Sequence, residues 1–187
     1  MTAEEIIAAI APAVPGATYV ALASADHVVT PTIGVPPEHL VATCRALQAP
    51  GLEFVAFSDV TAVDYHPNRM PRFDLVYHLV SPHRRARLRL KVGINAQEAV
   101  ETLSTLYPGA GWPEREIYDL FGIVFDGHAD MRRIMMPDDW EGHPLRKDYP
   151  VQLRKDAQTF MPLQVSEEEF KANLERDRFQ RGSAKPK

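Results

Sequence analysis

The chain has 187 residues, 45% hydrophobic and 25% charged, with a formal net charge of −4, the mix of a soluble globular protein. That length holds one ordinary domain with an appended arm, and the mildly acidic balance argues against a nucleic-acid partner, because neutralising phosphates takes a basic surface. The single Cys44 excludes an internal disulfide. It also excludes a self-contained iron–sulfur cluster or Cys-type zinc site, each of which takes about four ligands.

No apolar run approaches the roughly 20 residues needed to cross a bilayer, so no direct membrane span is expected. The start, Met1 to Ile7, lacks a basic n-region and the Arg-rich character of a transit peptide, which implies a protein that stays where it is made. Thr2 and Glu5 have capping-box spacing, and Ile6, Ile7 and Ile10 share one face ahead of Pro12, predicting a short N-terminal helix. After a loop rich in Ala, Pro and Gly, His27–Ile33 reads as a strand. A helix is expected from Pro37 to Ala49, with Leu40, Val41, Cys44 and Leu47 on one stripe. Cys44 then falls on a buried face, as a small core residue and not a reactive thiol.

Leu52–Val63 is strand-like and ends at Asp64. Phe73, Leu75, Tyr77 and Leu79 alternate with mostly polar neighbours, and Leu88, Leu90, Val92 and Ile94 alternate with Arg87, Arg89 and Lys91. A period of two marks strands with one buried and one wet face. Ser81-Pro82-His83 supplies the turn between the last two, so an antiparallel meander is expected. Asn95 and Glu98 repeat the capping-box spacing, and Ala99, Val100, Leu103 and Leu106 predict a further helix ending before Pro108-Gly109. The fold class is therefore α+β, an antiparallel or mixed sheet flanked by helices over residues 1–110.

Residues 111–150 change character. Gly111 to Gly122 predicts a short helix with Pro113 in its first turn and Gly122 just past its end. Ile117, Leu120 and Phe121 form its apolar stripe, and Arg115 and Asp119 are spaced for an i,i+4 pair. From Gly127 to Pro150 no periodicity survives, yet Ile134, Met135, Met136 and Trp140 are too apolar for a disordered segment. An extended arm lying on another surface is the expectation. Residues 151–187 form a tail, in which Ser166 and Glu169 open one polar helix carrying Phe170 and Leu174.

Nucleotide-binding glycine loops and a nucleophile elbow are missing from the sequence. The one catalytic candidate is the group His128, Asp130, Asp138 and His143, with Asp139 and Glu141 close by, whose oxygen and imidazole donors suit a divalent metal. Arg132 and Arg133 lie within it and would repel a cation, and no helical ligand spacing is present. Arg and Asp mixed with Trp and Tyr on an arm without its own core has instead the composition of a protein interface. A generic adaptor remains the other reading.

Glu114-Arg115-Glu116, Asp119-Leu120-Phe121, His128 and Arg132-Arg133-Ile134-Met135 resemble, in type and spacing, the signature of the 30-kDa subunit family of respiratory complex I. The run from Met136 through Asp138, Asp139, Trp140, Glu141, Pro144, Arg146, Lys147, Asp148 and Tyr149 to Pro150 continues the likeness. Where the family is expected to carry a proline after the histidine, this chain has Ala129, which removes some stiffness at that turn.

The resemblance implies an unfused subunit of NADH-quinone oxidoreductase, peripheral on the cytoplasmic side of a bacterial membrane. It implies packing against the large quinone-site D subunit near the cluster-bearing B and I subunits. FMN, iron–sulfur clusters and quinone would belong to those partners, with no cofactor and no catalytic residue on this chain. The equivalent subunit of a membrane-bound hydrogenase-type complex is the nearest alternative. On this reading Arg132, Arg133, Arg146 and Lys147 face carboxylates of a neighbour, Glu114, Glu116 and Asp119 face its basic groups, and Trp140 and Tyr149 are aromatic anchors.

Overall fold

The computed structural model describes residues 1–22, 30–150, 168 and 171–172. Two units emerge, Met1–Tyr149 and Pro150–Lys187. In the second, Glu168, Lys171 and Ala172 are helical; Ser166, Glu169, Phe170 and Leu174 of the expected C-terminal helix lie outside the described residues.

The first unit opens as its sequence dictates. Helix α1, Ala3–Ile10, is capped by Thr2, whose hydroxyl accepts the Glu5 N–H while the Glu5 carboxylate accepts the Thr2 N–H. Its buried face is Ile6 and Ile10. Strand β1, Val20–Leu22, was not expected from the sequence; three residues are too few to show a period. Strand β2, Thr32–Gly34, falls at the end of the predicted His27–Ile33 strand, of which residues 27–29 are outside the described set. A 3-10 turn, Pro37–His39, leads into α2, Leu40–Leu47, which buries Leu40, Cys44 and Leu47 as the stripe required.

Strands β3, Ala56–Asp64, β4, Phe73–Ser81, and β5, Ala86–Ile94, form the predicted antiparallel meander. Strand β2 joins the other side of β5 in parallel and β1 closes the edge, giving the order β1-β2-β5-β4-β3. One face of this mixed sheet carries Ile33, Leu75, Tyr77, Leu79, Leu88, Leu90 and Val92. These pack with Ile6, Ile10, Leu40, Cys44, Leu47 and Ile117 in a single core, each large side chain contributing about 1.5–3 kcal/mol by leaving water. The alternation that the sequence displayed thus sets which face is dry.

The helix expected after Asn95 does not form. Glu98 does turn back, its carboxylate accepting the Asn95 N–H and side-chain amide, both at 2.8 Å. The Glu98 N–H, however, donates to the Asn95 backbone carbonyl at 3.2 Å, which closes a turn, and not to the Asn95 side chain as an N-cap requires. The chain extends instead: β6, Val100–Glu101, pairs in parallel with β7, Phe125–Asp126, just beyond the next helix. Val100 and Leu103 are buried as a helix face would bury them, so the i,i+3 spacing was real but the backbone that delivers it is a strand and a turn.

Helix α3, Gly111–Phe121, follows, with Gly122 in the left-handed region at φ 71° and its N–H on the Tyr118 carbonyl at 2.8 Å. The same compact unit continues to Tyr149. Residues 111–149 therefore belong to the body that was expected to stop at residue 110, and the arm lies first on its own domain.

Candidate interaction site

The arm has no regular structure to satisfy its backbone, so its polar groups need partners elsewhere. Two buried carboxylates, Asp119 and Asp64, supply several of them, and a third, Glu114, seats the helix that leads into the arm. Glu114 sits one turn into α3 with 0% exposure. It accepts the Thr102 hydroxyl and, at 2.8 Å, the Leu103 N–H, tying α3 to the stretch after β6. Burial pushes its carboxyl up, against the opposing pull of Thr102, the Leu103 N–H and nearby His128. His128 donates from Nε2 to the Gly111 carbonyl at 3.0 Å and accepts the Asp130 N–H at Nδ1, also at 3.0 Å.

Asp119, also 0% exposed, holds the arm's centre. Its Oδ2 accepts three successive backbone N–H groups, from Ile134, Met135 and Met136, at 3.1, 2.7 and 2.8 Å. Its Oδ1 accepts the Arg133 guanidinium at 2.6 Å. Burial alone would raise this carboxyl, but the Met136 N–H, Arg133, and the Met135 and Ile134 N–H groups together hold it below the usual range. Around the helix end, His143 Nδ1 donates to the Asp119 carbonyl at 2.9 Å, and Arg146 donates to the Phe121 and Gly122 carbonyls. The Leu145 N–H reaches the Leu120 carbonyl at 3.0 Å. These donors occupy the orphan carbonyls that any helix C-terminus leaves.

The arm's end is pinned by Asp64, the last residue of β3. Arg72 forks onto both Asp64 oxygens at 3.0 and 2.8 Å, and onto both Asp148 oxygens at 3.0 and 2.7 Å. Asp64 also accepts the N–H groups of Lys147 and His66, each at 2.9 Å. Burial would raise Asp64, yet Arg72 and the Lys147 and His66 N–H groups outweigh it and hold its carboxyl at about 2. Sequence reading missed Asp64 and Arg72 as arm anchors. A charged residue closing an otherwise apolar strand was their only signal.

The remaining expectations sort by where the side chains go. Glu114 and Asp119, expected to meet a neighbour's cations, turn inward because α3 presents them to Thr102, Leu103 and residues 133–136. Arg133 and Arg146, expected to meet a neighbour's carboxylates, are taken by Asp119 and by the carbonyls at the end of α3. The Arg115–Asp119 pair is not made. Arg115 donates to the Arg132 and Arg133 carbonyls at 3.0 and 3.4 Å, approaches Asp130 at 3.6 Å and stacks on Trp112.

Tyr149 is half-buried, its hydroxyl donating to the Glu141 carbonyl at 3.2 Å, and Trp140 and Pro144 are half-buried with it. Phe121 is half-buried, edge-on to Phe73 with centroids 6.4 Å apart. Glu116, Arg132, Asp138, Asp139, Glu141, Lys147 and Asp148 are exposed. Met135 is 62% exposed, Leu145 49% and Trp112 67%. Among the described residues no three His, Cys, Asp or Glu side chains converge as a metal site; His128 and His143 instead bond to backbone at opposite ends of α3. No helix among them is long and apolar enough to cross a membrane.

The model of the family described as "Respiratory-chain NADH dehydrogenase, 30 Kd subunit" matches residues 33–155, from β2 through the whole arm. The chain belongs to this family. Similar members include the NADH-quinone oxidoreductase C subunit of Geobacter sulfurreducens, 49% identical over 122 residues that cover 65% of this chain and 75% of that protein. The C subunit of the Mesorhizobium japonicum enzyme is 40% identical over 146 residues, covering 73% and 72%. Among solved structures, the trypsin-resistant fragment (1-134) of Nqo5 is 27% identical with a TM-score of 0.56, covering 70% of this chain and 99% of that one. A chain of the membrane-bound sulfane sulfur reductase, an archaeal respiratory membrane complex, is 25% identical with a TM-score of 0.63, covering 79% and 85%. The 30-kDa family model spans Asp64, Glu114 and Asp119, so the three anchors lie inside the matched region.

Proposed function

We propose that this 30-kDa-family chain is a scaffold subunit of the peripheral arm of a proton-translocating NADH-quinone oxidoreductase, with no redox centre or reacting group of its own. Its arm would lie along the large quinone-site D subunit, with the B and I subunits close by, on the cytoplasmic side of the membrane. Flavin, iron–sulfur clusters and quinone are assigned to those neighbours. The contribution to electron transfer is geometric: electrons pass from NADH through clusters to quinone only while the subunits keep their spacing.

The observation that carries this reading is how the arm is seated. It is held from beneath through backbone groups, which leaves Met135, Leu145 and Arg132 directed outward. Exposed Met and Leu side chains on an ordered segment supply apolar surface that a protein contact can cover. The Arg132 side chain, 80% exposed, pairs with Asp130 at its base. The test is Arg132→Glu combined with Met135→Asp, made in cells that carry the whole complex. Both positions face outward, so the variant should keep its far-UV spectrum. Its recovery in the membrane complex and the NADH-quinone reductase activity should fall at least tenfold. Wild-type assembly and activity would refute the assignment. The likeness to a chain of another respiratory membrane complex supports a second reading with the same scaffold role and a different electron donor. Co-purifying flavin with NADH oxidation distinguishes the two.

A further inference from the structure

A second charged surface lies away from the arm. No Asp or Glu occurs between Asp74 and Glu98, although the chain holds 25 of them, and that stretch carries Arg84, Arg85, Arg87, Arg89 and Lys91. The structure gathers these on the outer side of β5 and on the turn that joins it to β4. Arg84, Arg85 and Arg87 are exposed, and with Thr30 they line a surface cavity of about 390 Å³.

Several other arginines of the first unit pair with a carboxylate at short range: Arg69 with Asp74, Arg72 with Asp64 and Asp148, Arg132 with Asp130, Arg133 with Asp119. Among the described residues no carboxylate reaches Arg84, Arg85 or Arg87; Arg84 has only the Met1 sulfur, at 3.6 Å. The turn and the Asp64–Arg72–Asp148 anchor sit at opposite ends of the nine-residue β4, about 27 Å apart at the usual rise of a strand. A partner patch of standard size, about 800 Å² a side and so about 16 Å in radius, would not extend this far from a centre on the arm.

We propose that this hairpin end is a second docking face, fitted to an acidic surface on a neighbouring protein. It rests on the chain's sitting in a multi-subunit complex, as proposed above. The cations at the tip are all arginine, whose planar fork binds carboxylates in pairs, whereas a face built only for solubility is as well served by lysine. Membrane docking is disfavoured because the tip, Pro82 to Arg87, has no bulky apolar side chain to insert beside its charges. The concave wall formed with Thr30 suits carboxylate side chains reaching in.

Arginine labelling by phenylglyoxal, read by mass spectrometry, tests this on the free full-length chain and on the detergent-solubilised complex. Arg84, Arg85 and Arg87 should label at least tenfold more slowly in the complex. The triple variant Arg84→Glu, Arg85→Glu, Arg87→Glu should fold normally by far-UV spectrum but be recovered in the complex at least fivefold less. The triple Lys variant keeps the charge but loses the paired geometry, so its recovery should fall between that of wild type and that of the Glu variant. Unprotected hairpin arginines beside a shielded Arg132 would overturn this inference while leaving the arm's role intact. Free labelling of both would sink both proposals. Recovery of the Glu variant at wild-type level overturns the docking face, as does protection seen only when the chain meets phosphatidylglycerol vesicles.

Discussion

Asp119→Asn tests whether one carboxylate holds the arm down. The amide oxygen can still accept the Ile134, Met135 and Met136 N–H groups, but as a neutral acceptor. Hydrogen bonds to a charged group contribute about 1.5–3 kcal/mol and neutral ones about 0.5–1.5, so the three lose roughly 1 kcal/mol each. The new NH₂ group faces the Arg133 guanidinium, donor against donor, and strands a half-buried cation, adding about 1–2 kcal/mol. The total is about 4–5 kcal/mol, close to the whole stability of a marginal domain at about 5–15 kcal/mol. Because the loss is confined to the arm's seat, local release precedes global unfolding. Amide hydrogen exchange at residues 134–136 should accelerate about a thousandfold, since each 1.4 kcal/mol is tenfold, while the amides of β4 and β5 keep much of their protection. If exchange at 134–136 stayed within a few-fold of wild type, the account of Asp119 would be wrong.

Asp64 makes stability depend on acid. Its carboxyl is held at about 2 against an ordinary 3.8, so its contribution, about 2 kcal/mol by linkage, is fully present above pH 4. It is lost as pH falls through 2, and Asp64→Asn should flatten that part of a urea-midpoint profile. Gly122→Ala should cost about 2–3 kcal/mol in chemical denaturation, because a Cβ at φ 71° would run into the His143 ring and the Arg146 guanidinium. A cost under 0.5 kcal/mol would mean that the arm yields easily there. Cys44, 0% exposed with its thiol pushed up to about 12 by burial, should resist iodoacetamide at pH 8 until denaturant is added. Rapid alkylation of the native chain would contradict its place in the core.

The sheet was legible because its strands have one dry face: the Phe73–Leu79 and Leu88–Ile94 alternations cannot be satisfied by a helix. Capping chemistry was equally plain at Thr2 and at Gly122. The same signal misled at Asn95 and Glu98, because a side-chain contact three residues apart closes a turn as readily as it opens a helix, and only the distant partner β7 decides. The signature residues of the arm were visible as a group, but their directions were not. Asp119 and Glu114 look like surface charges in a helix one turn at a time. What makes them internal is the path of residues 102–104 and 133–136, which no local pattern encodes. Asp64 and Arg72 escaped for the same reason, since they act on residues 83 and 76 positions away in the chain.

The way Asp119 grips residues 134–136 leaves those three positions free in one respect. At those three positions the carboxylate reads main-chain N–H groups, so it is indifferent to which side chains they bear. Their identities can drift to match whatever protein lies opposite, while the route of the polypeptide stays fixed. A single inward-facing acid thus separates the course of the segment from its outward lettering, so one fold can be re-lettered for different complexes without being rebuilt.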